Sequence, residues 1–186
     1  MNFDLLEKIG EGKRGEVYKI KLQNGKIAAL KFSKNYNNNK EWEILNYLNG
    51  FYAPKPIFKT DNYFIMEFID GYPLKDIVDT PEYYDALKLA LKASFLLDEK
   101  GVFHKQLGRY YHIIITSKGI KFLDFERSVF SKNPRNFFQI IGYYLNRDEF
   151  FDKTKIENIL KKKKSKQEML FDILKVIDES KYKAFY

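Results

Sequence analysis

Hydrophobic and polar residues alternate along much of the first third of the chain. Residues 17–22 (VYKIKL) have the two-residue period of a half-buried strand. Asn24 and Gly25 follow, a pair typical of tight hairpin turns, so residues 26–32 (KIAALKF) predict the returning strand. The dense apolar run at 63–69 (YFIMEFI) predicts a central strand, which Asp70 and Gly71 end.

Helical spacing begins after a polar loop predicted at residues 35–39. Within residues 40–48 (KEWEILNYL), Trp42, Leu45 and Leu48 recur at helical intervals and predict a short helix that ends at Asn49 and Gly50. Residues 81–100 carry a longer apolar face, with Pro81 placed to begin the helix and Gly101 to end it.

The rest of the chain predicts a small hairpin and two further helices. Two apolar runs, 112–115 and 120–125, are separated by the turn residues 117–119. Apolar residues at 137–145 form another helical stripe, and residues 165–168 have the capping-box pattern that opens a last helix. The order of elements predicts an α+β fold, a single domain with one lobe at about 1–69 and a mainly helical lobe at about 70–186.

Composition narrows the class of protein. The chain has 186 residues, of which 45% are hydrophobic, enough for a packed core. The absence of cysteine excludes disulfides, thiolate metal ligands and a thiol nucleophile. No run approaches the roughly 20 apolar residues of a membrane span. The first residues lack the pattern of a signal peptide, so a cytoplasmic location without a membrane partner is expected.

Positive charge is concentrated in the last third. The formal net charge is +8, and residues 127–186 contain 14 Lys or Arg against 8 Asp or Glu. Four consecutive lysines occupy positions 161–164. This composition predicts either an ordinary solvated surface or one that attracts RNA or an acidic partner.

A glycine-rich segment near the N-terminus is the first candidate for chemistry. Gly10, Gly12, Gly15 and Val17 form the pattern G-x-G-x-x-G-x-V. A dinucleotide-binding turn shares this glycine spacing but runs from a strand into a helix. Here an alternating strand and a hairpin follow, so the pattern predicts a flap whose backbone can approach phosphate oxygens. The loop alone is equally compatible with an ordinary glycine-rich hairpin.

The residues after the flap add a cation and an acid. Strand alternation places Ala29 and Lys31 on one face of the strand predicted at 26–32. Glu41 and Glu43 lie on the helix that follows, and either could pair with Lys31.

In this order, the glycine pattern, A-x-K, a helical glutamate, MEFIDG at 66–71 and LDFE at 123–126 resemble a protein kinase. The resemblance covers about residues 3–128, and the chain is similar to the small serine/threonine kinases of archaea. It implies a two-lobed protein-kinase-like fold and ATP with Mg²⁺ as cofactors. Lys31 would bind ATP phosphates, Glu41 would fix Lys31, and Asp124 would ligate the metal.

The resemblance also assigns the adenine end of the site. Ala29 would pack against adenine beneath the flap formed by the glycines and Val17. Met66 would be the gatekeeper, and the backbone of Glu67 and Ile69 would hydrogen-bond adenine.

The catalytic loop departs from the kinase pattern H-R-D-L-x-x-x-N. The chain has His104-Lys-Gln-Leu, with Gln106 in place of the aspartate. Glutamine cannot act as a general base, but its carbonyl oxygen can orient a hydroxyl group. His104 is expected to brace the loop.

The metal side of the site departs from the pattern as well. Counting along the loop puts Tyr111 at the asparagine position, whereas counting back from the following strand favours His112. Imidazole is a poor Mg²⁺ ligand, so Glu126, which replaces the usual glycine, is a further candidate ligand.

Only 60 residues follow Glu126, and no A-P-E motif is present. A shortened C-terminal lobe is also found in atypical kinases such as the RIO group and the small kinase of the KEOPS complex. Regulation by activation-loop phosphorylation is therefore not expected.

Four functions stay open at this point. The first is an atypical serine/threonine kinase with a protein substrate, in which Lys31, Glu41 and Asp124 position ATP and Gln106 positions the acceptor. The second is a pseudokinase that signals or scaffolds through its nucleotide-bound shape. The third is a small-molecule kinase, and the fourth is an RNA-associated factor that uses the basic C-terminal region.

Overall fold

The first part of the chain forms a five-stranded antiparallel sheet. The computed structural model describes residues 1–13, 15–34 and 37–185. The strands are β1 (Phe3–Gly12), β2 (Gly15–Leu22), β3 (Ile27–Ser33), β4 (Pro56–Lys59) and β5 (Tyr63–Glu67), in the order β1-β2-β3-β5-β4. Ile20, Leu30 and Ile65 belong to a small buried cluster formed by the sheet. Apolar residues on one face of β2, β3 and β5 are therefore buried, as the alternation in the sequence predicted.

One helix, α1 (Asn39–Leu48), accompanies this sheet. It buries Ile44, Leu45 and Leu48, which join the main core of the protein. It ends where Asn49 adopts φ 44°, in the left-handed region, and donates its N–H to the Leu45 carbonyl oxygen. Two residues of the loop predicted at 35–39, Asn35 and Tyr36, lie outside the described residues.

The second part of the chain is mainly helical. Its helices are α2 (Pro81–Glu99), α3 (Asn136–Ile140), α4 (Lys153–Lys161) and α5 (Lys166–Phe185), and α3 continues into a π-helical turn at Ile141–Leu145. Its strands are β6 (Tyr72–Pro73), β7 (Val102–Phe103), β8 (Ile113–Thr116), β9 (Gly119–Phe122) and β10 (Val129–Phe130). β6, β8 and β9 form one sheet, and β7 pairs with β10. The long helix α2 supplies the centre of the core, with Leu87, Ala90 and Leu91 fully buried.

A buried polar network fixes the start of α3 relative to α2. Asp98 Oδ1 accepts hydrogen bonds from the Asn136 backbone N–H (2.8 Å) and side-chain amide (2.9 Å). The Asn136 side chain in turn accepts from the His104 backbone N–H at 2.9 Å. This network holds the segment that begins at His104 against the helical core, which is the foundation of the site described below.

β9 is attached to the loop between α1 and β4. Lys121 Nζ donates to the carbonyl oxygens of Gly50 (2.7 Å) and Ala53 (3.1 Å) and lies 3.6 Å from a carboxylate oxygen of Glu67. The backbone N–H of Phe122 donates to the Tyr52 carbonyl oxygen at 2.8 Å. These bonds connect the helical part of the protein to the sheet part.

The predicted α+β, two-lobed kinase-like fold is confirmed, whereas the single-domain extent and the boundary at residues 69–70 stay predictions. Two strands are shorter than predicted. β5 ends at Glu67 rather than residue 69, because Glu67 opposes Ala28, near the start of β3. β9 ends at Phe122, because Asp124 adopts left-handed backbone angles. Strands β1 and β4, the two-residue strands β6, β7 and β10, and helix α4 were not predicted. No helix among the described residues is long and apolar enough to cross a bilayer.

Candidate active site

Three elements bring Lys31, Glu41 and Asp124 together. Lys31 is on β3, Glu41 is in the first turn of α1, and Asp124 follows β9. Lys31 Nζ lies 2.8 Å from one Glu41 carboxylate oxygen and 2.9 Å from Asp124 Oδ1. The structure therefore pairs Lys31 with Glu41, the partner favoured by the sequence, and joins the sheet part to the helical part through this cation.

Burial makes these charges depend on one another. The side chain of Glu41 is 3% exposed and that of Lys31 is 13% exposed. Burial alone would lower the pKa of Lys31, but the Glu41 and Asp124 carboxylates raise it above its usual value. Burial raises the pKa of Glu41 despite the opposing effect of Lys31, whereas Lys31 outweighs burial and lowers the pKa of Asp124. Lys31 is thus permanently charged, and Asp124 is ionised at neutral pH.

Asp124 is held in an uncommon backbone conformation. Its φ of 64° lies in the left-handed region, which side chains other than glycine seldom adopt. On one side Leu123 donates its backbone N–H to the His112 carbonyl oxygen, and on the other the Phe125 ring is fully buried. Such strain persists where the surroundings hold it, and here it turns the Asp124 carboxylate toward Lys31.

His104 connects the loop of residues 104–108 to the segment that carries Asp124. Its Nε2–H donates to the Leu123 carbonyl oxygen (2.9 Å), and its Nδ1 accepts from the Gln106 backbone N–H (3.3 Å). The imidazole is fully buried and packs edge-on against the Phe125 ring, with centroids 4.6 Å apart. Burial lowers the pKa of His104 to about 3, so it is neutral and acts as the brace expected from the sequence.

Gln106 and His112 occupy the positions where the kinase pattern has aspartate and asparagine. Gln106 is 9% exposed, and its side-chain oxygen has no hydrogen-bond partner among the described residues. His112 is buried and its Nε2 lies 3.4 Å from Asp124 Oδ2, whereas Tyr111 is 51% exposed. The geometry therefore places His112, and not Tyr111, beside Asp124. Glu126 Oε1 lies 3.9 Å from Arg127 Nε.

The glycine-rich segment is the hairpin between β1 and β2. Gly12 pairs with Gly15, and Gly10 pairs with Val17. A methyl group on Gly15 would lie 2.2 Å from the Phe32 carbonyl oxygen, so glycine is required there by the close approach of β3. Nothing lies within 4 Å of a methyl group built on Gly12, which leaves open space at that side of the hairpin. Arg14 lies outside the described residues.

Charged residues that the sequence analysis did not single out connect this hairpin to the end of β3. Lys8 Nζ lies 2.8 Å and Lys34 Nζ 2.6 Å from the same Glu16 carboxylate oxygen. Both lysines also contact Glu11, and the Tyr18 hydroxyl donates to Glu16 at 2.6 Å. Only the alternating charge of β1 and β2 hinted at this network, because Lys34 lies just beyond the end of β3.

The far end of the site has a small buried wall. Ala29 is 4% exposed and pairs with Met66 across β3 and β5. The Glu67 backbone N–H donates to the Lys55 carbonyl oxygen at 2.8 Å, so a bond from Glu67 to adenine would use its carbonyl oxygen. Ile69 is half-buried beyond the end of β5. The adenine-binding roles of Glu67 and Ile69 stay predictions.

These residues fit a nucleoside triphosphate with a divalent ion. A buried cation, an open glycine hairpin and an ionised aspartate lie at one end, and a small apolar wall lies at the other. Within residues 1–13, 15–34 and 37–185 there is no group of three His, Cys, Asp or Glu side chains able to hold a metal ion. A metal at Asp124 would therefore take further ligands from water and, where a nucleotide binds, from phosphate oxygens.

A sheet with a glycine flap, packed on a helical part and joined to it through a lysine between two acids, defines a protein of the protein-kinase-like class. Within this class the chain belongs to the RIO family, because the RIO domain matches residues 10–176.

The chain is also similar to three curated proteins, one of which is a rio2 kinase. The serine/threonine-protein kinase rio2 of Schizosaccharomyces pombe is 25% identical over 183 residues, covering 78% of this chain and 51% of the relative. An uncharacterized protein of Methanocaldococcus jannaschii is 37% identical over 75 residues, covering 39% of this chain and 65% of the relative. A probable serine/threonine-protein kinase of Dictyostelium discoideum is 31% identical over 123 residues, covering 57% of this chain and 18% of the relative. The chain spans less than two thirds of the length of each of these relatives.

Proposed function

We propose that this protein transfers the γ-phosphate of ATP to a serine or threonine hydroxyl of a protein substrate, with Mg²⁺ as the metal. The observation that carries the proposal is the position of Lys31, whose ammonium group lies within 3 Å of both Glu41 and Asp124. A lysine fixed by one acid and directed toward a second is the arrangement that phosphoryl transfer from ATP requires. Membership of a family of atypical protein kinases supports the same activity, and a cytoplasmic location is part of the proposal.

Each part of the site has a role in this proposal. The backbone of the hairpin at Gly10, Gly12 and Gly15 covers the phosphates, and Val17 and Ala29 bound the adenine. Lys31 binds phosphate oxygens, and Glu41 keeps it in place. Asp124 holds the metal, which neutralises charge on the phosphates when it is bound.

Gln106 positions the acceptor hydroxyl in this proposal. Its side-chain oxygen is buried without a hydrogen-bond partner among the described residues, so it is available to accept a hydrogen bond from a hydroxyl group. Glutamine does not ionise, and it therefore orients the hydroxyl without removing its proton. Phosphoryl transfer depends mainly on positioning and on charge, so this substitution reduces catalysis without abolishing it.

The acceptor segment is proposed to be acidic. A groove of about 430 Å³ is lined by Phe103, Arg135, Phe138, Gln139, Gly142, Tyr143 and Arg147. Its walls contact the loop that carries Gln106: Gln139 accepts from the Leu107 backbone N–H at 3.4 Å, and the Tyr144 hydroxyl, next to Tyr143, donates to the Leu107 carbonyl oxygen at 2.6 Å. The two guanidinium groups complement carboxylates beside the phosphorylated hydroxyl.

Transfer of radiolabel from γ-labelled ATP tests the proposed function. The wild-type protein is expected to label itself or a generic acidic protein, and Asp124→Ala is expected to lose the label. Measurement of the melting temperature with and without ATP and Mg²⁺ reports binding separately. If the wild-type protein neither becomes labelled nor is stabilised by ATP with Mg²⁺, the proposal is refuted.

The pseudokinase is the second candidate, because Gln106 replaces the catalytic aspartate and His112 the asparagine. Stabilisation by ATP with Mg²⁺, without labelling above that of Asp124→Ala, would establish it. Labelling of small hydroxyl compounds but not of proteins would identify a small-molecule kinase. RNA binding that weakens steeply with salt and persists in Lys31→Ala would identify an RNA-associated factor acting through the basic C-terminal region.

A further inference from the structure

The two ring nitrogens of His112 have different surroundings. Nδ1 lies 3.2 Å from the backbone carbonyl oxygen of Gln106. A carbonyl oxygen only accepts hydrogen bonds, so Nδ1 carries the proton and donates it. In the neutral ring the lone pair is then on Nε2, which lies 3.4 Å from Asp124 Oδ2.

With a neutral His112 ring, two electron-pair donors therefore face each other at the centre of the site. Asp124 uses its other oxygen, Oδ1, to bind Lys31, which leaves Oδ2 directed toward His112. The side chain of His112 is 4% exposed and that of Asp124 is 30% exposed, so water reaches the Asp124 side of the contact but hardly the His112 side. A cation between the two atoms would remove the repulsion between their lone pairs. Neighbouring ligands of an octahedral metal ion lie roughly 3 Å apart, which is close to the observed separation.

The hydrogen bond at Nδ1 is also the usual feature of a histidine that binds metal. Such a histidine almost always donates its second ring N–H to a carboxylate, a backbone carbonyl or a water molecule, which fixes the tautomer and the ring orientation. His104 serves as an internal contrast, because both of its nitrogens are engaged by the backbone groups of Leu123 and Gln106.

We propose that His112 Nε2 and Asp124 Oδ2 form a cation site that prefers a first-row transition-metal ion such as Mn²⁺ over Mg²⁺. Mg²⁺ favours oxygen ligands, whereas imidazole nitrogen binds transition-metal ions. The remaining ligands are water and, where ATP binds as in the proposed function, phosphate oxygens. The site thus follows from the replacement of asparagine by histidine in this chain.

Electron paramagnetic resonance of bound Mn²⁺ tests the site directly. The full chain is labelled with ¹⁵N-histidine, which marks two residues, His104 and His112. With Mn²⁺ and ATP, the wild-type spectrum is expected to show hyperfine coupling to ¹⁵N. His112→Asn should lose this coupling, and His104→Gln should keep it.

A binding measurement provides a second readout that does not depend on turnover. In the presence of ATP, His112→Asn is expected to raise the dissociation constant for Mn²⁺ by about tenfold. The same substitution is expected to leave binding of Mg²⁺ unchanged or make it tighter, because it supplies an amide oxygen. If His112→Asn weakens the binding of Mn²⁺ and of Mg²⁺ by the same factor, the proposed preference is overturned.

Titration with Mn²⁺ alone separates this proposal from the proposed function. If ATP fails to bind with either metal, the proposed function fails, but ¹⁵N coupling with Mn²⁺ alone would still support the site. Absence of ¹⁵N coupling both with ATP and with Mn²⁺ alone would overturn the site. His112 would then be a hydrogen-bond partner of Asp124, as expected of an imidazolium.

Discussion

At the scale of single residues, Lys31 is the side chain on which most of the site depends. Its ammonium group neutralises two acids, of which Glu41 is almost fully buried. Removal of one member of such a group leaves an uncompensated charge away from water, and this costs more than the favourable interaction that is lost. The stability of the protein and the geometry of the site are therefore linked through the same atom.

Lys31→Ala is expected to lower the free energy of unfolding by about 3–5 kcal/mol, because Glu41 and Asp124 lose their common cation. It is also expected to abolish stabilisation by ATP. Urea unfolding measures the first effect, and melting temperature with nucleotide measures the second. The matched control is Lys21→Ala, an exposed lysine on β2, for which a change within about 0.5 kcal/mol is expected.

Should Lys31→Ala fail to fold, the double variant Lys31→Met with Glu41→Gln tests the same reasoning. Both charges are then absent, so most of the lost stability is expected to return. A double variant that also fails to fold would contradict the explanation by unpaired charge.

The buried His104 gives a second prediction, which concerns pH. Its pKa is about 3 in the folded protein, while the unfolded chain has the ordinary value near 6.5. Between these values the unfolded state binds the proton first, so stability is complete above about pH 6.5 and falls as the pH is lowered toward 3. The decrease is at most about 1.4 kcal/mol per pH unit for one group.

Urea unfolding between about pH 4 and 7 measures this slope in the wild-type protein and in His104→Gln. The variant is expected to be less stable at neutral pH, since the two hydrogen bonds of His104 are altered, but to depend less on pH. Parallel curves for the two proteins would show that His104 is not the source of the acid sensitivity.

At the scale of elements, the hairpin between β1 and β2 places two glycines in opposite surroundings. Gly15→Ala puts a methyl group 2.2 Å from the Phe32 carbonyl oxygen, so β2 and β3 must separate. We expect a loss of about 1–3 kcal/mol in the free energy of unfolding. Gly12→Ala meets no atom within 4 Å and is expected to change stability by less than about 0.5 kcal/mol.

Thermal and urea unfolding of the two glycine variants provide the measurement. Gly15→Ala is further expected to weaken stabilisation by ATP, because the base of the flap is displaced. Equal stability of the two variants would argue against the close approach of β3 as the reason for glycine at position 15.

The elements that the sequence predicted are those with a clear hydrophobic period, such as β2, β3, α2 and α5. β1 was missed because its apolar residues do not alternate and are largely exposed: Leu5 and Leu6 are 62% and 49% exposed. Helix α4 was missed because its apolar face is short, with Ile156 buried and Ile159 and Leu160 only partly buried, and because the run of lysines at 161–164 dominates the end of this segment. Both elements are stabilised by partners that lie elsewhere in the chain.

In the site, too, residues with a local sequence pattern could be predicted, and residues defined by distant contacts could not. The glycines, Lys31, Glu41 and Asp124 were recognisable because each belongs to a short local pattern. The contact of His112 with Asp124 was suggested only by counting back from a strand, since the two residues are far apart in the chain. The network of Asp98, Asn136 and His104 had no local signal at all, because each partner is an ordinary residue until the fold brings them together.

At the scale of the whole molecule, the groove beside the catalytic loop is the proposed contact for an acidic acceptor, because Arg135 and Arg147 line it. The double variant Arg135→Ala with Arg147→Ala is expected to reduce labelling of an acidic substrate about tenfold, because two charge-assisted contacts are lost. ATP stabilisation should be unchanged. The matched control is Lys153→Ala with Lys163→Ala, which removes two exposed positive charges elsewhere.

Equal labelling by the two double variants would show that net charge, and not the groove, attracts the substrate. Competition by single-stranded RNA that depends on Arg135 and Arg147 would assign the groove to nucleic acid instead, since aromatic and arginine side chains also stack with bases.

The bonds made by β9 restrict how the cleft can open. Lys121 and Phe122 bind three backbone carbonyl oxygens in the loop between α1 and β4. A rotation of the two lobes away from each other would have to break all three bonds at once. The β1–β2 hairpin is also held near its tip, because β2 is paired with β3 as far as Gly15 and Ser33 and Lys34 adds ion pairs to Glu11 and Glu16. We therefore expect the proposed exchange of nucleotide to occur with little change in the angle between the lobes.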